Sequence, residues 1–183
     1  MEFNKPVSNP MLVGCIELLK AEDSAGHRNM FVEELMKAVF QSPAIIDPEP
    51  AEDAEGKLVV APNSKVQFPM LIAPDGKKFF MAFTDSGEYR KWAEKNKDLP
   101  YFALKFDDYA RMLFHKDAMG NDCPALGIVI NPMAASMVVP KEMVAGILAA
   151  RMTQAKQKAM QRTENPMGTM GGGPIPKSPD ETK

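Results

Sequence analysis

The stretch that most restricts what this chain can fold into runs from Val66 to Phe83. There Val66-Gln67-Phe68-Pro69-Met70-Leu71-Ile72-Ala73 and Lys77-Lys78-Phe79-Phe80-Met81-Ala82-Phe83 flank Pro74-Asp75-Gly76. An Asp-Gly pair between two apolar runs predicts a β-hairpin, because these residues accept the positive φ that a tight turn requires. Directly downstream, Asp85-Ser86-Gly87-Glu88 has a capping-box spacing, with an acidic residue three positions beyond the cap. It predicts the start of a helix through Tyr89, Trp92 and Ala93.

Outside this unit the hydrophobic period alternates between helix and strand. Leu12, Val13, Ile16, Leu18 and Leu19 predict a helix over 10–22, and Asp23-Ser24-Ala25-Gly26 a turn. Met30, Phe31, Leu35, Val39 and Phe40 predict a second amphipathic helix from His27 to Phe40, ended by Ser42-Pro43. Ala44-Ile45-Ile46-Asp47 and Leu99-Pro100-Tyr101-Phe102-Ala103-Leu104 are strand candidates, and Asp107 caps a helix carrying Tyr109, Met112 and Leu113 up to His115. Ala125-Leu126-Gly127-Ile128-Val129-Ile130 is the continuous apolar run of a central strand covered on both faces. Ser136-Met137-Val138-Val139 predicts a last strand, with Pro140 opening a long helix that carries Met143, Val144, Ile147, Leu148 and Met152.

With 183 residues the chain has room for one core. The expected class is α+β: a single domain whose mixed sheet of about five or six strands is covered by helices. An N-terminal helical pair precedes it, and a long C-terminal helix and a disordered tail follow. The boundaries expected are an N-terminal helix over 1–26, an α/β domain over 27–150, an extension of the last helix over 151–164 and the tail over 165–183. From Asn165 the Met-Gly-Thr-Met-Gly-Gly-Gly-Pro run has too little apolar surface to offset the entropy of ordering.

Charge narrows the classes of partner. The net charge of −2 lacks the basic excess of a nucleic-acid binder. It is unevenly spread: residues 1–56 hold eleven acidic against four basic side chains, and residues 141–183 hold seven basic against four acidic. A basic last helix engages an acidic partner or a membrane surface in one reading and is ordinary solvation in the other. The apolar stretch Met143–Ala150 is far short of the roughly 20 residues that cross a bilayer, so no stable membrane insertion is expected. Leu12-Val13-Gly14-Cys15 matches the box at which bacterial lipoproteins are acylated. The residues before it lack the basic start and the apolar run of at least about seven residues that a signal peptide needs, so Cys15 is expected as a buried helix residue. Two cysteines without metal spacing fit a reducing cytoplasm.

Chemistry is sparse. His115 and Cys123 bracket a glycine-containing loop, an arrangement that would suit a nucleophile and its base, although nothing in the spacing enforces contact. Asp107, Asp108, Asp117 and Asp122 lack the alternating spacing of a calcium loop, and Gly168, Gly171, Gly172 and Gly173 lack the lysine of a phosphate loop. No cofactor and no metal site are expected. Seven methionines fall between Met133 and Met170, the kind of side chain that repacks around varied partners as well as filling cores. Pro176-Lys177-Ser178-Pro179 is a bare PxxP match.

Phe83-Thr84-Asp85 at the end of the second hairpin strand, Trp92 in the next helix, and Gly127-Ile128-Val129-Ile130-Asn131-Pro132 together resemble the N-terminal domain of the SseB family, the enhanced serine sensitivity proteins, over roughly residues 30 to 150. Met133 departs from the small residue that commonly follows Asn-Pro. No counterpart of the second domain of many members is expected within these 183 residues, and the last helix and tail are expected to be particular to this chain. The resemblance implies a cytoplasmic bacterial α/β domain of undefined activity with no catalytic residues to carry over.

Thr84, Asp85 and Asn131 are expected at the carboxyl ends of strands, the edge where open α/β sheets bind ligands. Phe83, Thr84, Asp85, Asn131 and Pro132 are therefore the candidate ligand- or partner-binding residues. Each also has a local structural use, as cap, core or turn. The expected function is a non-enzymatic protein-interaction or adaptor module whose protein partner the residues do not identify. The alternative is a small-molecule sensor or an enzyme using that strand-end edge, and a third reading is peripheral membrane binding through the last helix.

Overall fold

The structure, a computed structural model, describes residues 2–56, 58–134 and 136–164. Two compact units divide the chain, Met1–Ile147 and Leu148–Lys183.

In the first unit, β1 (Glu2–Phe3) precedes two helices, α1 (Pro10–Ala21) and α2 (Ala25–Lys37). Ser24 caps α2, its Oγ accepting from the His27 N–H at 3.2 Å, so this helix starts two residues before the position expected. It also ends earlier. Val39 and Phe40, expected in the helix, open strand β2 (Val39–Pro43), which pairs antiparallel with β9 (Tyr101–Lys105). β-Branched and aromatic side chains suit a pleated, half-buried surface, and the ladder outweighs the helical spacing.

After β2 come β3 (Ile45–Asp47), β4 (Ala51–Glu52), β5 (Leu58–Val59), β6 (Lys65–Gln67), β7 (Met70–Ile72) and β8 (Lys78–Ala82). The hairpin is present: β7 and β8 pair antiparallel around a turn in which Gly76 has φ 81° and the Ala73 N–H donates to the Lys77 carbonyl at 2.8 Å. Pro69, which has no N–H for a ladder, separates β6 from β7, and β6 pairs with β3 instead. Asp85 caps α3 (Ser86–Ala93), accepting from the N–H groups of Gly87 at 2.8 Å and Glu88 at 3.0 Å. The Glu88 carboxylate does not complete a box but pairs with Lys91.

Helix α4 (Phe106–Leu113) is capped by Asp108 rather than the expected Asp107: its Oδ2 accepts from the Lys105 N–H at 2.9 Å. Strand β10 (Ala125–Ile130) is flanked by β8, parallel, and β11 (Met137–Pro140), antiparallel. Pro140 ends β11 opposite Gly127 instead of opening the last helix, α5 (Lys141–Glu164).

A mixed four-stranded sheet, β11-β10-β8-β7, and a three-stranded one, β1-β9-β2, thus form the framework. Two reciprocal backbone bonds between Gln41 and Phe83, 3.0 and 2.9 Å, join them at the end of β8. Strand alternation sorts the core into two layers. Met81 and Phe83 face Tyr89 and Trp92 of α3, with the Phe83 ring 5.5 Å from Tyr89 and 5.8 Å from Trp92. Phe80 points the other way to the Tyr109 ring of α4, which also meets Phe40 edge-on at 5.9 Å. Cys15 is buried in α1, as expected.

In the second unit, the described residues 148–164 are helical and 149–160 are exposed. The expected tail, with its glycines, Met167, Met170 and the PxxP match, lies outside the described residues.

Candidate functional site

The parallel pairing of β8 with β10, with Ala82 opposite Ile130, brings the two predicted strand ends to one edge of the sheet. There the side chains of Thr84, Asp85 and Asn131 form one hydrogen-bonded chain. Asn131 adopts φ 48°, a left-handed conformation that asparagine tolerates better than most residues, and its N–H donates to the Ala82 carbonyl at 2.9 Å. Its Oδ1 accepts from the Thr84 N–H at 3.0 Å, and its Nδ2 donates to Thr84 Oγ1 at 2.8 Å. The same hydroxyl donates to Asp85 Oδ2 at 2.9 Å, while Asp85 Oδ1 caps α3.

Thr84 and Phe83 are fully buried and Asn131 nearly so, whereas Pro132 is half-buried in the turn after β10. Two residues that sequence reasoning passed over belong to this edge. Asn9, just before α1, donates from Nδ2 to the carbonyls of Val39 and Thr84, both at 2.7 Å, and accepts from the Val39 N–H at 3.2 Å. Gln41 is buried beside Phe83, donates from Nε2 to Ser86 Oγ at 3.1 Å, and leaves Oε1 without a hydrogen-bond partner among the described residues. An asparagine before Pro10 reads locally as a helix cap, which hides this role in tying three elements together.

Away from that edge, an open groove of about 630 Å³ lies between α4, β7 and the loop after α4. Phe68, Met70, Phe80, Met112 and Pro124 supply its apolar lining, and Arg111, His115 and Cys123 its polar and thiol groups. The fold therefore brings His115 and Cys123 to one groove, a proximity the eight-residue spacing left open.

The acidic residues of this region have structural partners. Burial alone would raise the Asp108 carboxyl, but the Lys105 N–H and the Arg111 guanidinium hold it below the ordinary carboxylate range. Asp117 is also held low: it accepts from the Asn121 side chain at 2.9 Å and from the N–H groups of Asn121 at 2.9 Å and Met119 at 2.8 Å. Asp122 pairs with Lys116 at 3.1 Å. Among the described residues no group of three His, Cys, Asp or Glu side chains is placed to hold a metal ion.

Burial pushes the Tyr89 phenol up to about 12, with Asp98 adding to it, and its hydroxyl donates to the Leu99 carbonyl. Burial likewise raises the Tyr109 phenol, which donates to the Met81 carbonyl at 2.9 Å. Both phenols act as neutral donors, Tyr89 tying α3 to the loop before β9 and Tyr109 tying α4 to β8. No described helix is long and apolar enough to cross a membrane.

The chain matches no curated protein and no solved structure. The model of the SseB protein N-terminal domain matches residues 12–146, beginning inside α1 and so taking in more of the N-terminal helices than the motifs alone suggest. That span includes the Thr84–Asn131 edge and the α4 groove, and ends within the first two turns of α5: the chain belongs to the SseB family, with its N-terminal domain at residues 12–146.

Proposed function

We propose that this chain is a non-enzymatic protein-interaction module of adaptor type, with the groove beside α4 as its contact surface. The observation that carries this reading is the groove itself: apolar side chains from β7, β8 and α4 gather in an open depression next to an exposed loop. A concave apolar surface with a polar rim fits a partner side chain or helix. Methionines 70 and 112 within it add a surface that repacks around what it binds. At the strand-end edge the Thr84 hydroxyl and the Asn131 amide are engaged with each other and with Asp85, which favours a structural use there over catalysis. A reducing cytoplasmic setting fits the free thiols Cys15 and Cys123.

The test is affinity capture from a lysate of the native cells, comparing the wild-type chain with Met112→Glu, which places a charge in the groove. A partner retained by the wild type and lost by a folded Met112→Glu chain supports the reading; a partner retained equally by both sinks the groove. The groove volume also lies in the range of small-molecule sites, which favours a sensor as the second reading. A ligand library would then raise the unfolding midpoint, by about 2.7 kcal/mol of stabilisation at a hundred times the dissociation constant, and Met112→Glu would abolish the shift.

A further inference from the structure

We propose that copies of this chain associate head to tail, the basic helical stretch 148–160 of one copy docking on the acidic β4–β5 hairpin of the next. The two surfaces are complementary in charge and both have an apolar component. Between Met143 and Thr163 the sequence contains Arg151, Lys156, Lys158 and Arg162 and no Asp or Glu. Residues 149–160 are exposed, Met152 at 61%. A helix with this exposure draws little of its order from burial within its own unit and gains from a surface to lie on.

The hairpin has the opposite character. Residues 47–56 hold Asp47, Glu49, Glu52, Asp53 and Glu55 without a Lys or Arg, and all five carboxylates are exposed. Lys65 faces Asp47 across the β3–β6 ladder, and Lys97 lies 3.9 Å from Glu49. Lys57 follows in the sequence and lowers the excess without cancelling it. Negative charge therefore concentrates toward Glu52 and Glu55 at the hairpin.

Two clefts of about 420 and 670 Å³ adjoin the hairpin, both bordered by Asn4 and Leu58. Ile45 and Leu99 line the first, Phe3, Val59 and Phe102 the second. Apolar floor beneath a carboxylate rim is what a helix presenting methionine and lysine together would recognise. Pairing α5 with its own counterpart is disfavoured, because basic side chains would meet basic ones with no acid to offset them. A helix-on-hairpin contact is heterologous, so it either closes into a ring or continues from copy to copy. It uses neither the α4 groove nor its partner, and stands or falls independently of the function proposed above.

Sedimentation velocity of the full chain is the test, over roughly a hundredfold range of protein concentration at about 20 mM and about 500 mM NaCl. The expected result is a mass that rises with concentration at low salt and returns to the monomer at high salt. Lys156→Glu/Lys158→Glu and Glu52→Lys/Glu55→Lys each weaken self-association at least about tenfold when alone, since the first cancels the basic excess of the helix and the second removes most of the acidic excess of the hairpin. An equimolar mixture of the two variants associates again, each supplying the charge that the other lacks. All four positions are exposed, and circular dichroism of both variants is the check that they fold as the wild type does.

The proposal is overturned by a chain that stays monomeric throughout, by association that neither variant weakens, or by variants that remain apart when mixed. A monomeric chain that binds phosphatidylglycerol vesicles, and loses that binding in Lys156→Glu/Lys158→Glu, assigns the helix to an anionic membrane surface and equally overturns it.

Discussion

Asn131 concentrates several demands in one side chain: a left-handed backbone, two hydrogen bonds to Thr84, and closure of β10 against β8. Alanine there strands the buried Thr84 N–H and forces a Cβ residue into the left-handed region, so Asn131→Ala is expected to lower stability by about 2–3 kcal/mol in urea unfolding. Asn131→Gly keeps the conformation and loses only the bonds, and should fall between the two. Equal losses for both variants would show that backbone conformation contributes nothing. Asp108 makes a prediction in pH. Its carboxyl is held below its ordinary value when folded, so it contributes stability that is present above the unfolded pKa and lost as pH falls through the folded one. Asp108→Asn should be less stable by about 1 kcal/mol at neutral pH and converge with the wild type in acid, where the wild type has lost the same contribution. Curves that stay parallel from pH 7 to about pH 2 would contradict this. At this scale, roles set by neighbours in the chain are legible: Asp85 caps as its spacing says. Asp108 replaces Asp107 because the cap depends on where β9 releases Lys105, and that is set by pairing with β2 and not by local sequence.

Among the elements, β10 shows why a strand can be read from its apolar run while its irregularity cannot. Its pairing with β8 shifts between Ala125 and Ile128, and Gly127 there has φ 157°. A Cβ on Gly127 would sit 2.3 Å from the Val139 carbonyl oxygen of β11, so the backbone of one strand must move. Gly127→Ala is expected to cost about 2–3 kcal/mol, read as a lower thermal midpoint. Gly146→Ala in α5 meets nothing within 4 Å and should be neutral or stabilising by about 0.5–1 kcal/mol, a control that separates close approach from glycine content. The boundary between α2 and β2 is the same lesson in reverse. Val39 and Phe40 continue a helical period, yet Gln41, two residues from Val39, is drawn into backbone bonds with Phe83, and the segment becomes a strand. Helical spacing is a local signal, whereas a ladder partner more than forty residues away leaves no trace in the local pattern.

For the molecule as a whole, the division at Ile147 has a measurable consequence. Residues 151–160 are exposed throughout, so a chain ending at Ala150 should unfold, in dilute solution, within about 2 °C of the full chain. Hydrogen exchange over 151–160 should be orders of magnitude faster than in β8 and β10. A midpoint lowered by more than about 5 °C would mean that the distal helix contributes to the core after all. Contiguous residues and short-range rules of turn, cap and period suffice for the α+β class, the Asp75-Gly76 hairpin, the Asp85-capped helix, the apolar β10 and the family motifs. The folded chain adds the parallel course of β8 and β10 with Thr84 locked to Asn131, the junction of the two sheets at that edge through Asn9 and Gln41, and the groove shared by His115, Cys123 and Met70. Those relations are made by pairing and packing between segments tens of residues apart, where the free energy belongs to the contact and is written in neither partner alone.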